Sequence, residues 1–123
     1  MKITINDHRK IFAIQEEFKT LFPYLKLEFF SKSHKSSGAS AKNLIKHHSK
    51  TLQECRTIHN NGEIDITTQL TVSELEQRFR DVYGLSIKIF RKSGKVWLET
   101  TLTDNWTLAE QNRQGEALSK TIV

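Results

Sequence analysis

The chain has a single cysteine, Cys55. A lone cysteine excludes an internal disulfide framework and suits a reducing compartment. No stretch approaches the roughly 20 apolar residues a membrane-spanning helix requires. Lys2, Asp7, His8, Arg9 and Lys10 put charge where a secretory leader needs an apolar run. The expectation is a cytoplasmic protein without membrane contact. The five glycines are scattered, so there is no glycine-rich phosphate loop. No carboxylate pair stands out, because Glu54, Glu74 and Glu110 each fall three residues after a threonine and read as helix caps. The sequence thus points to no catalytic residue, no metal site and no cofactor.

Acid is also missing from one long stretch: none occurs between Glu28 and Glu54. That gap holds Lys32, Lys35, Lys42, Lys46 and Lys50 together with His34, His47 and His48. Residues 1–61 carry eleven Lys/Arg against five Asp/Glu, a balance of +6, whereas residues 62–123 carry eight against nine, a balance of −1. The whole excess of positive charge therefore lies in the first half. Such a run either attracts phosphate or acidic partners through its field or simply solvates a loop.

What is present is a pattern written twice. Residues 2–35 and 63–95 align with one single-residue gap. Ile3 matches Ile64, Ile5 matches Ile66, Phe18 matches Phe79, Leu25 matches Leu85 and Phe30 matches Phe90. After a four-residue insertion, Thr51-Leu52-Gln53-Glu54 matches Thr107-Leu108-Ala109-Glu110. An internal repeat constrains architecture before any strand is assigned. In the second copy, residues 62–68 alternate as a half-buried strand. Thr71 and Glu74 form a capping box, Val72, Leu75, Phe79 and Val82 recur at helical spacing, and Gly84 stops the helix. Leu85, Ile87 and Ile89 form the next strand. A turn at Ser93-Gly94 would set Phe90 opposite Trp97 and Lys88 opposite Glu99. Thr107 then opens a short helix.

The fold expected is α+β: two tandem β-α-β-β units, about 1–61 and 62–112, with a tail 113–123. They would form one largely antiparallel sheet with two helices on one face. The run of strand, Thr71-Val72-Ser73-Glu74 helix, Gly84, strand, hairpin and Thr107-Leu108 resembles the middle of a ubiquitin-like β-grasp unit. That resemblance implies topology alone, because the family's leading hairpin and Gly-Gly tail are absent. β-grasp-like units stand as the alternative architecture.

Strand alternation turns Phe30, Phe90 and Trp97 away from the Ile/Leu face. Lys26, Lys32, Lys88, Lys92 and Lys95 fall on the same face or its rim, and Lys35, Lys42, Lys46 and Lys50 form an adjoining basic loop. An aromatic, basic sheet face suits self-association as a homo-oligomer or capture of a protein partner. It also suits stacking of single-stranded nucleic acid. Cys55 and His59, four apart, offer a third reading as a zinc or thiol site, although a structural zinc site usually has paired short spacings.

Overall fold

The computed structural model describes residues 1–31 and 41–120. Lys32, Lys35 and most of the Ser-rich loop lie outside the described residues. The fold is α+β, with three α-helices and two antiparallel sheets. The strands are β1 (Lys2–Ile5), β2 (Leu25–Phe30), β3 (Gly62–Asp65), β4 (Ser86–Ser93) and β5 (Val96–Glu99). The helices are α1 (Ile11–Leu21), α2 (Val72–Tyr83) and α3 (Leu108–Lys120).

The single sheet expected from the sequence is split. Among the described residues β1 pairs only with β3, and β2-β4-β5 make a separate three-stranded sheet. Each sheet closes its ladder within itself, and the two meet through side chains. Ile3, Ile5, Ile64 and Ile66 share one core with Leu25, Leu27, Phe29, Leu85, Ile87 and Ile89. Helix α1 adds Ile11, Ile14 and Phe18, and α2 adds Val72, Leu75 and Phe79, with Phe79 meeting Phe29 edge-on at 6.1 Å. Burying each such side chain contributes roughly 1.5–3 kcal/mol. Val82, expected in the α2 stripe, is 46% exposed. Tyr83, four residues on from Phe79, takes the last core position instead, as the 3.6-residue period favours.

The capping box of α2 forms as read. Thr71 Oγ1 accepts from Glu74 N–H at 3.1 Å, and Glu74 accepts from Thr71 N–H at 3.1 Å. Gly84 ends the helix in the left-handed conformation, φ 64°, which only glycine adopts without penalty.

Three further expectations are corrected. Among the described residues the first half shows no counterpart of β5. Between β2 and β3 the described residues make two isolated bridges, Leu44 to Phe30 and Thr51 to Lys10, and two single 3-10 turns at Ala41–Asn43 and Leu52–Cys55. The hairpin turn is Gly94-Lys95, not Ser93-Gly94, because glycine at the first central position accepts the positive φ (62°) of such a turn. Phe90 consequently faces Glu99, and Lys92 faces Trp97. This slip of two residues leaves every side chain on its expected face. Finally, the supposed tail is helix: α3 runs to Lys120. Its buried line is Leu108, Gln111 and Gly115, too polar to register as an apolar stripe. Gly115 lets α3 lie close to the chain at Tyr24, whose N–H donates to Asn112 Oδ1 at 2.9 Å.

Candidate functional site: a groove on the outer sheet face

Alternation along β2 sends Leu25, Leu27 and Phe29 into the core and Lys26, Glu28 and Phe30 to the opposite face. On β4 the same rule sends Phe90 outward beside Lys26, its cross-strand partner. Trp97 arrives from β5. The segment after β2 folds back along the edge: Ile45 N–H donates to Phe29 O at 2.9 Å, and Ser31 N–H to Asn43 O at 2.8 Å. Leu44 and His48 thereby wall one side. The result is an open groove of about 600 Å³ with Phe30, Phe90 and Trp97 in its lining, together with Lys26, Glu28 and Lys46.

The groove's charge is organised around Lys26. Its ammonium lies 5.1 Å from the Trp97 ring centroid and 5.5 Å from that of Phe90, a double cation–π contact. It also stands 3.8 Å from the Glu28 carboxylate, which His48 Nε2 approaches at 3.5 Å from the other side. Glu28 is mostly buried and Lys26 half exposed, so the pair presents its cation to solvent.

The residues picked out from sequence divide. Phe30, Phe90, Trp97 and Lys46 come together in the groove. Phe30 is covered by the returning segment and is only 4% exposed. Lys92 is half-buried beside Trp97, and Lys95 is exposed at the hairpin tip. Lys42 and Lys50 are exposed on the 41–50 segment, outside the groove lining. Lys88 is a correction. Expected on the open face, it is 2% exposed. β5 is too short to cover residues 86–89 of β4, and Glu76 of α2 fills that edge. It accepts Ile89 N–H at 3.2 Å and holds Lys88 Nζ at 3.5 Å. Burial pushes the Glu76 carboxyl above its ordinary pKa, and the Lys88 charge opposes that rise. Glu28 was not singled out from sequence, although alternation between Lys26 and Phe30 would have placed it in the site.

Cys55 and His59 engage different partners. The Cys55 thiol donates to Thr51 O at 3.3 Å, and burial pushes its pKa up, away from the thiolate that nucleophilic or metal chemistry requires. His59 turns to Asp7, 2.9 Å from its carboxylate. The buried Arg56 guanidinium holds Asp7 from the other side at 2.9 Å and donates to Tyr83 O and Asn60 O. The His59 hydrogen bond, followed by that of Arg56, lowers the Asp7 pKa. Among the described residues no three His, Cys, Asp or Glu side chains converge as a metal site, and no helix is long and apolar enough to cross a membrane.

Compared with protein-family models, curated proteins and solved structures, the chain gives no match.

Proposed function

We propose that this chain is a non-catalytic interaction module that captures an acidic, extended protein segment in the outer-face groove. The observation that carries this reading is the position of Lys26. Its ammonium lies across two aromatic rings and stays half open to solvent. A cation held in this way offers a carboxylate a pre-oriented partner, while the groove wall at Leu44 offers an apolar surface to a side chain beside it. Lys46 and the acid-free run between Glu28 and Glu54 extend the attraction beyond the groove. Nucleobase stacking fits less well, because the Lys26 ammonium already lies over Phe90 and Trp97, and Lys88 is withdrawn from the face.

The test is calorimetric titration with a soluble peptide of alternating glutamate and leucine, alongside a mixed-sequence single-stranded oligonucleotide. Peptide binding that disappears in Lys26→Ala supports the proposal. Binding of the oligonucleotide alone, falling steeply with salt, would replace it with the nucleic-acid reading.

We also infer that the two halves are copies of one unit related by an approximate two-fold axis. Matched residues face one another: Ile3 opposite Ile64, and Glu28 opposite Lys88. Matched backbone bonds recur as well. Leu52 N–H donates to Arg9 O at 2.8 Å, and Leu108 N–H to Leu70 O at 2.8 Å. Ile11 N–H reaches Lys50 O, and Val72 N–H reaches Trp106 O. The unit would be strand–helix–strand plus a capped turn, with β5 an addition of the second copy.

A further inference from the structure

Nearly every exposed edge of the three-stranded sheet is closed by something. On the outer edge of β2, Leu27 O accepts from Gln15 Nε2 at 2.8 Å, and Phe29 O accepts from Ile45 N–H. On the part of β4 that β5 does not reach, Glu76 accepts Ile89 N–H and Thr100 donates to Ile89 O. The outer edge of β5 is the exception. β4 is its strand neighbour on one side, and no described strand lies on the other. The hairpin closes through Ser93 and Val96, and Thr100 N–H bonds to Ile89 O further along the same ladder. Val96 and Leu98 therefore direct their backbone groups inward to β4, and Trp97 directs its N–H and C=O outward. Among the described residues nothing hydrogen-bonds to that outward pair. Edge strands in stable monomers are commonly blunted by lysine, proline or a bulge. β5 reads Val-Trp-Leu-Glu and has neither proline nor lysine within it. Its two aliphatic side chains are open to water, Val96 at 56% and Leu98 at 44% exposure.

We propose that β5 is a self-pairing edge, to which a second copy of this chain adds its own β5 in antiparallel register with Trp97 opposite Trp97. The five residues Lys95-Val96-Trp97-Leu98-Glu99 are self-complementary about that centre. Run antiparallel, Val96 faces Leu98 of the second copy, and Lys95 faces Glu99 of the second copy, each contact occurring twice by symmetry. Trp97, as the outward-pointing residue, exchanges both backbone hydrogen bonds with its counterpart. Alternation places the two Lys–Glu pairs on the groove side with Trp97 and the four aliphatic side chains on the other side. Two three-stranded sheets would become one six-stranded sheet, with the two grooves side by side across the axis. A contact of this length is small, which places the dimer in the weak, concentration-dependent class. The proposal uses the outer backbone edge of β5, which shares Trp97 and Glu99 with the groove lining, and holds whether or not the groove takes an acidic segment.

Sedimentation equilibrium from about 10 µM to about 1 mM tests it. The expected result is a mass rising toward twice the 14.3 kDa of the chain. Val96→Lys combined with Leu98→Lys should hold the protein monomeric with its circular dichroism unchanged. Lys95→Glu alone sets like charges opposite each other at two places and should weaken the dimer about tenfold. Adding Glu99→Lys reverses both signs and should recover the wild-type constant. A chain monomeric throughout the range overturns the proposal. So does a dimer indifferent to the Val96/Leu98 double variant, or a charge swap that fails to rescue. If peptide binding in the groove fails while the swap rescues dimerisation, the self-pairing edge stands and the groove reading falls.

Discussion

The Lys26 ammonium sits 5.1 Å from the Trp97 ring, so a residue on an edge of the sheet is tied to the opposite edge across the intervening strand. The contact spans β2, β4 and β5, with Phe90 beneath it on the middle strand. Replacing Lys26 by methionine keeps the stem and removes the charge. A double-mutant cycle of Lys26→Met with Trp97→Leu, measured by urea denaturation, should give a coupling of about 0.5–1 kcal/mol. A coupling of zero would show that the ammonium spends its time in water.

Lys88 and Glu76 predict an asymmetry. Lys88→Met leaves a largely buried carboxylate without its counter-charge and should cost about 3 kcal/mol at neutral pH. Combining it with Glu76→Gln removes the stranded charge while retaining an acceptor for Ile89 N–H, and should restore most of the loss. Because burial raises the Glu76 pKa, the Lys88→Met variant should regain stability as pH falls toward that pKa and the carboxyl protonates. Denaturation at pH 7 and pH 5 checks both the rescue and its sign.

Gly115 is held by space rather than by backbone angle. A Cβ there would stand 2.9 Å from Tyr24 Cβ, 3.0 Å from Tyr24 O and 3.2 Å from Arg91 Cγ. Alanine normally stabilises a helix interior by close to 1 kcal/mol over glycine. Here Gly115→Ala should destabilise by about 1–3 kcal/mol, because α3 must lift away from Tyr24. A thermal melt showing stabilisation would mean that α3 packs more loosely than described.

Asp7 should make the segment between the halves sensitive to acid. Its hydrogen bonds from His59 and Arg56 hold its folded pKa below the unfolded value. The stability it contributes is present above the unfolded pKa and is lost as pH falls through the depressed folded one. Asp7→Asn should therefore lower stability at pH 6–7 and flatten the acid limb of the stability curve. Unchanged acid limbs in wild type and variant would remove Asp7 from this role.

Much of the helix and strand plan was legible because the relevant signals are local. Thr71 and Glu74 cap α2, Gly84 ends it, and alternation puts Phe30, Phe90 and Trp97 on the groove face. What was not legible depends on distance in the chain. Nothing in the Ile3 and Ile64 strands states that they pair with each other and leave the larger sheet. The burial of Lys88 is decided by Glu76, twelve residues away on a helix. The start of α3 at Thr107 was legible, but its run to Lys120 was missed because its buried line contains a glutamine and a glycine. Gln111 earns its burial by binding Arg91 and Thr103, partners no periodicity count includes. The turn was misplaced by one residue because Ser93-Gly94 and Gly94-Lys95 both contain the glycine, and which side of it the turn falls on is set by the strand pairs it connects.

Among the described residues, neither strand of the first 60 pairs with the other: β1 waits for β3, and β2 waits for β4. On a ribosome, the opening half of this chain therefore emerges with its ladder partners still unsynthesised. Helix α1 can coil at once, but among the described residues Ile3, Phe29 and Leu25 have no strand to close against until Ile64, Ile87 and then Arg91 have left the tunnel. Folding should thus come late and all together, and a pause before residue 86 would leave β2 without the strand that closes its ladder.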